Sequence, residues 1–379
     1  MIKFYSKAIL PAGFKANAVS CGLKKSGKPD LAFFYSNVPA KASCVFTSNT
    51  LAAAPVILSR RFLKENKSGY YGIIVNSGNA NCFTGKNGMQ DALNMASYSA
   101  QNLGVDKESV LVASTGIIGK RLDIAKIKKA LPNLIGGLSL RGMDFAKKAI
   151  MTTDTFAKEV TAVINIGKEK VAICAIAKGA GMIAPDMATM LCFIFTDADI
   201  KQKTLDKSLA RAIEKSFNCI SVDGCMSTND SVMVLANGCS CRVDKNKRSL
   251  ELFSQALDKV CLELAKMIVK DGEGATKFIQ IDVTGASSGK EAKVAALAIA
   301  NSALFKTAMY GCNPNFGRVV SAVGSCGIKV DEAKLQVKLS PLDQKNIKVS
   351  VDLGKGKAKS TVYTCDMTPA YVRINAEYN

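Results

Sequence analysis

The sequence predicts an α+β fold built as layers, on three observations. Short apolar alternations such as "LAFFYS", "GIIVNSG" and "FIQIDVTG" have the two-residue period of half-buried strands. The stretches near 204–217 and 249–269 instead repeat their apolar residues every three or four positions, as helices do. The two kinds interleave without the regular βαβ period of a doubly wound sheet, and no internal repeat or low-complexity linker interrupts them. With 379 residues, 48 % of them apolar, the chain is long enough to bury a sizeable core.

Taken in order, "LAFFYS", "SCVFTSN" and "GIIVNSG" read as short strands, and a helix near 88–103 stops at Gly104. Helices are expected near 123–131 and 141–151. "EVTAVINIG" and "KVAICAIAKG" form a hairpin-like pair, and "MLCFIFTDADI" reads as a buried strand. Thr204 is expected to cap a helix whose Leu205, Leu209, Ile213 and Phe217 make one stripe. In the helix near 249–269, Phe253, Leu257, Val260, Leu264, Met267 and Ile268 share a face, and Gly272 is the expected cap. A strand "FIQIDVTG", a helix over 291–308 and three antiparallel strands, "KLQVKLS", "NIKVSVDLG" and "STVYTCDM", complete the chain.

Composition excludes several chemistries. No histidine is present, so Ser-His-Asp and Cys-His catalysis are closed, as is a histidine general base. Thirteen cysteines show no C-x-x-C pairing and read as buried thiols of a reducing cytoplasm. A metal site would need ligand spacing that is not visible, so no metal and no cofactor are expected. No apolar run approaches the roughly 18 residues of a membrane span, and the start lacks a signal-peptide pattern. A cytoplasmic protein with no membrane partner is therefore expected. The net charge of +20 invites nucleic acid, but the lysines are scattered and have no aromatic platform beside them. A solvated lysine-rich surface is the better account, and no nucleic-acid partner is expected.

Among the motifs, "STGIIGKR" (114–121) has two residues between its glycines where a phosphate loop needs four, followed by Arg121 where Ser or Thr is required. No Gly-x-Gly-x-x-Gly follows a strand. A turn such as "STG" can present a hydroxyl and backbone N–H groups to an oxyanion, although a plain turn is the simpler account of it alone. "NSGNANCFTG" (76–85) reads as an Asn/Gly loop; with no histidine to activate it, Cys82 is expected to be structural.

"KGAGMIAPDMATML" (178–191) differs from these in its setting. A Gly/Pro turn runs directly into a core strand and delivers Thr189 to its start. A threonine hydroxyl is a poor nucleophile unless a base adjoins it, and one solution is the residue's own freed α-amine. That solution requires a cut just before the threonine. A threonine that merely begins a strand fits the same segment equally well.

The segment resembles the self-cleavage signature of the ornithine acetyltransferase (glutamate N-acetyltransferase) family of arginine biosynthesis. The likeness extends through "NVPAKASCVFTSNTLAAAPVILSR", "NSGNAN", "STGIIG", "TTDT", "VDGCMSTND", "DGEGATK", "NPNFGR" and "YVRINAEY", in one order along nearly the whole chain. The resemblance implies a layered α/β sandwich related to self-processing aminopeptidases. It implies autocatalytic cleavage between Ala188 and Thr189 into an α chain, 1–188, and a β chain, 189–379, assembled as α2β2. It makes Thr189 the nucleophile, Thr115 and Gly116 the oxyanion hole, and Thr152, Lys178, Thr189, Glu273 and Asn375 substrate-binding positions. The implied reaction carries the acetyl group of N2-acetylornithine to glutamate by a ping-pong route. Whether acetyl-CoA is a second donor is left open.

Three features depart from the family's pattern: Cys225-Met226 stands where an acidic residue and Thr are usual, Asn313 where Asp is usual, and the tail stops at Asn379, one residue short of a terminal Thr or Ser. They bear on affinity, since none touches the nucleophile. Two other readings are kept: a self-processing aminopeptidase of the same fold, separable by peptide hydrolysis, and a non-enzymatic basic binding protein, separable by an intact chain and salt-dependent nucleic-acid binding.

Overall fold

The computed structural model describes residues 1–66, 68–184 and 190–377. Ala188, Thr189 and Asn379 lie outside these residues. The chain forms two compact units. One comprises Met1–Gly179, Met187–Lys215 and Ser227–Leu264; the other comprises Ala180–Asp186, Ser216–Met226 and Ala265–Asn379. Each unit thus draws on residues from both sides of position 188.

The first unit holds strands β1 (Ile2–Tyr5), β2 (Phe14–Val19), β3 (Leu31–Phe46), β4 (Tyr70–Asn79), β5 (Val110–Ile117), β6 (Lys158–Ile166), β7 (Glu169–Lys178), β8 (Leu191–Thr196) and β9 (Ser231–Ala236). They run in the order β1-β6-β7-β8-β9-β3-β4-β5, with β2 also on β3. Instead of two short strands, "LAFFYS" and "SCVFTSN" belong to one long β3. Its register shifts between Tyr35 and Ala40, so its first half pairs β2 and β4 and its second half pairs β9. That irregularity lets one strand serve two sheets. The sheets face each other through Phe14 and Phe34 on one side and Phe193 and Phe195 on the other, with ring centroids 5.0–5.4 Å apart. Cys192 points to the opposite face of β8; burial, with Cys261 beside it, pushes its thiol well up. The helix Lys247–Lys270 that carries Cys261 therefore covers the outer face of that sheet. Helix Ala54–Glu65 covers the other sheet, where Ser59 Oγ donates to Val112 O. Helix, sheet, sheet and helix make the layered α+β sandwich.

In the second unit, β10 (Phe278–Ala286), β11 (Gln336–Leu339), β12 (Asn346–Asp352) and β13 (Ala358–Cys365) form a sheet in the order β11-β12-β10-β13. As expected, β11 runs antiparallel to β12, and β13 runs opposite to β12 with β10 between them; β10 itself pairs parallel with β12 and antiparallel with β13. Ile279, Ile281, Val349 and Val362 pack under helix Gly289–Asn301, which buries Ala292, Ala296 and Ile299. The expected helix over 291–308 is two helices, because the Ser302 side chain accepts from Phe305 N and starts a second one, Ala303–Tyr310.

Three other boundaries differ. Helix Gln202–Glu214 begins at Lys201, not Thr204, whose hydroxyl is bound to Asp244. Helix Ile124–Gly136 continues through Pro132, because Leu131 and Leu134 on either side are buried. Gly272 adopts no left-handed conformation; Gly274, at φ +68°, does.

Candidate active site

Thr115 and Gly116 lie at the end of β5, where the parallel pairing with β4 becomes irregular. Thr115 stands opposite both Ser77 and Asn79, and Gly116 opposite Gly78. Gly116 has φ +134°, and a Cβ there would meet the Asn79 nitrogen at 2.5 Å. Only glycine lets the two strand ends approach this closely. Asn229 ties them together from outside, donating from Nδ2 to Ala80 O at 2.6 Å and Ser114 O at 2.9 Å.

Lys178 ends β7 and is almost fully buried. Its Nζ donates to Thr115 Oγ at 3.3 Å, so a cation backs the hydroxyl expected to hold an oxyanion. Gly179 N donates to Asp154 Oδ1 at 2.7 Å, and Lys158 Nζ donates to the same oxygen at 2.7 Å. Neither side chain of the Asp154–Lys158 pair is exposed. Burial would push the Asp154 carboxyl up, but Lys178, Lys158 and the Gly179 amide outweigh it and hold it down to about 2. Thr152 N donates to the other Asp154 oxygen at 2.9 Å. Four residues of the first unit, Thr115, Lys178, Asp154 and Thr152, are thus joined through side chains and adjacent backbone.

Lys24 reaches the same region. Its Nζ donates to Pro29 O and Ala149 O, at 3.0 and 3.1 Å. Burial, with Lys178 among its neighbours, lowers it to about 8, although Asp30 and Asp154 pull the other way. Asp230 precedes β9 and is 1 % exposed. Its Oδ1 accepts from Met190 N at 2.7 Å.

In the second unit, Glu273 and Asn375 are hydrogen-bonded, Nδ2 to Oε2 at 2.8 Å. Glu273 N donates to Ala180 O, and a Cβ on Gly181 would overlap the Glu273 carboxylate. Met182 takes φ +57°, unusual for a residue with a side chain. Asp223 offsets this cost by accepting from Met182 N at 2.6 Å and Ile183 N at 2.9 Å. Burial pushes the Asp223 carboxyl up, against the pull of the Cys225, Met182 and Ile183 amides, and Glu273 adds to the rise. The turn over 180–183 is therefore clamped by two carboxylic residues. Cys225 is exposed and Cys82 buried, with its Sγ 3.7 Å from Leu51 O.

Asp154, Asp223 and Asp230 stand inside the stretches "TTDT" and "VDGCMSTND", yet only the structure distinguishes them from surface acids. Lys24 has no motif around it at all. Among the described residues, no group of three or more His, Cys, Asp or Glu could hold a metal ion. No helix among them is long and apolar enough to cross a membrane.

Residues 15–379 match the ArgJ family. The arginine biosynthesis bifunctional protein ArgJ of Geobacter sulfurreducens is 42 % identical over 97 % of this chain and 98 % of its own length. The glutamate N-acetyltransferase of Methanocaldococcus jannaschii is 44 % identical over 97 % of each. Among solved structures, ornithine acetyltransferase complexed with ornithine, from Mycobacterium tuberculosis, is 34 % identical with a TM-score of 0.45, covering 49 % of this chain and 98 % of that one. Matched from residue 15 to its last residue, and more than 40 % identical to relatives along nearly their whole length, the chain belongs to the ArgJ family of arginine-biosynthesis acyltransferases.

Proposed function

We propose that the chain cuts itself between Ala188 and Thr189 and then moves the acetyl group of N2-acetylornithine to glutamate through acetyl-Thr189. The observation that carries this reading is the Lys178–Thr115 contact at 3.3 Å beside Gly116. A buried ammonium that donates to Thr115 Oγ occupies a lone pair of that oxygen and leaves its proton for an oxyanion. The Gly116 N–H is the second donor, and such donors contribute roughly 3 kcal/mol each when charge develops.

In the first half-reaction Thr189 Oγ attacks the acetyl carbonyl while its α-amine takes the proton. The amine returns that proton to the departing ornithine nitrogen. Glutamate attacks the acetyl ester in the second half-reaction, giving N-acetylglutamate. Glu273, held by Asn375, suits the ornithine ammonium, and Thr152 and Lys178 are the further substrate-binding positions of this reading. The α chain, 1–188, and the β chain, 189–379, stay together as α2β2 in the cytoplasm.

An assay of purified protein with N2-acetylornithine and glutamate tests the reading: N-acetylglutamate and ornithine should form in equal amounts. Peptide hydrolysis without acetyl transfer would favour an aminopeptidase. The same assay with acetyl-CoA in place of acetylornithine decides whether a second donor is used.

A further inference from the structure

The α-amine that serves as base during transfer does not exist while Ala188 and Thr189 are joined, because the nitrogen of Thr189 is then an amide. Self-cleavage needs another proton carrier, and the chain has no histidine to be one.

Asp230 is placed for that task. Met190 follows Thr189 in the chain, so the amide N–H that Asp230 Oδ1 accepts, at 2.7 Å, is the one formed with the Thr189 carbonyl. The backbone that carries this carboxyl is held on both sides: Asp230 O accepts from Thr47 N at 3.0 Å, Ser231 N donates to Met190 O at 3.1 Å, and the parallel β8–β9 register starts at Leu191 and Ser231. Asp230 Oδ2 is buried and has no hydrogen-bond partner among the described residues. One other side-chain oxygen there shares this condition, Asp91 Oδ2, and it faces Arg121 at 3.6 Å. Burial pushes Asp230 well above the ordinary carboxyl range, against the pull of the Met190 amide and of Lys178, the charged group that faces it. Asp154, by contrast, is held down to about 2 despite its burial, by Lys178, Lys158 and the Gly179 amide. Two carboxyls with pKa values driven apart are the pattern of an assigned acid beside a structural anion.

We propose that Asp230 is the proton carrier of self-cleavage, a task separate from acetyl transfer; the inference rests on the self-cleavage reading above. Thr189 Oγ bonds to the Ala188 carbonyl carbon as the bond from that carbon to the Thr189 nitrogen breaks. Asp230 gives its proton to the departing nitrogen, and its carboxylate takes the proton of the hydroxyl. The acyl group has then moved from nitrogen to oxygen, one proton has moved the other way, and Asp230 is restored. Water opens the ester, leaving the Ala188 carboxylate and a free Thr189 hydroxyl and amine.

The test follows newly made full-length chain by intact mass, for the wild type, Asp230→Asn and Asp230→Glu, across pH 5–9. Acetyl transfer is measured per Thr189 amino terminus formed. Cutting should slow by about 10²-fold or more in the Asn variant. Its residual cutting should lose the wild-type pH dependence, and transfer per amino terminus should fall much less than cutting does. The Glu variant, which keeps an acid, should cut faster than the Asn variant. Equal loss of cutting and of transfer per terminus would overturn the proposal. Should the Asn variant fail to fold, a folded Glu variant decides alone: cutting within about tenfold of wild type supports the role, and an uncut chain overturns it. Wild-type chain that stays whole overturns the self-cleavage reading itself, whereas wild type and Asn variant cutting equally fast overturn only the role of Asp230.

Discussion

Lys178 Nζ, at the end of β7, lies 3.3 Å from Thr115 Oγ, near the end of β5, and both side chains are buried. A lysine at this place has two uses that kinetics separate. If it supports the oxyanion donor, Lys178→Met removes help that matters only as charge develops, and kcat should fall by about 10–10²-fold with KM little changed. A lysine that pairs with the substrate carboxylate would raise KM instead. Steady-state kinetics on cut enzyme, with acetylornithine varied, distinguish the two.

Thr115→Val keeps the branched shape at the end of β5 and removes the hydroxyl. Turnover should drop by about 10²–10³-fold, with substrate affinity less affected. Under the proposed self-cleavage, cutting should also slow, since it would form an oxyanion at the same donors. Unchanged turnover in the folded variant would place the oxyanion donor elsewhere.

Asp154→Asn should cost stability before it costs chemistry. It breaks the Asp154–Lys158 pair, neither side chain of which is exposed, a change worth about 3–5 kcal/mol. The sign with pH follows from the direction of the shift. The folded-state pKa is depressed to about 2, so the contribution is fully present above the ordinary carboxyl range and fades as pH falls toward about 2. Thermal melts at pH 7 and pH 3 should therefore differ more for the wild type than for the Asn variant.

The strands and most helices were legible because their burial follows from periodicity. "LCFIFT" is buried at every position, and Leu205, Leu209 and Ile213 share one buried face. What periodicity does not carry is the choice of partner. That β12 lies parallel to β10, or that one β3 serves two sheets, depends on contacts far apart in the chain. The same holds within the site. Thr115, Gly116 and Lys178 stand in recognisable motifs, but Asp154 and Asp230 are functional candidates only because they are buried, and burial of a single aspartate has no local signature. Lys24 is the extreme case, an unremarked lysine in a lysine-rich chain whose surroundings lower it to about 8.

The pH dependence of transfer should report an amine. Under the proposed function the Thr189 α-amine must be neutral to accept a proton, so activity should rise with pH through its pKa, ordinarily near about 7.7–8.0. Lys178, in the same site under the function proposed here, would shift it lower by like-charge repulsion. Lys24 titrates in the same window, at about 8, so the limb alone does not identify the base. Lys24→Arg separates them: an arginine stays charged across this range, and the limb should persist in that variant. Selective modification of the β-chain amino terminus should abolish transfer while the two chains remain assembled. A modified enzyme that still forms acetyl-Thr189 at the normal rate would remove the amine from the mechanism, and loss of the limb in Lys24→Arg would assign the titration to Lys24.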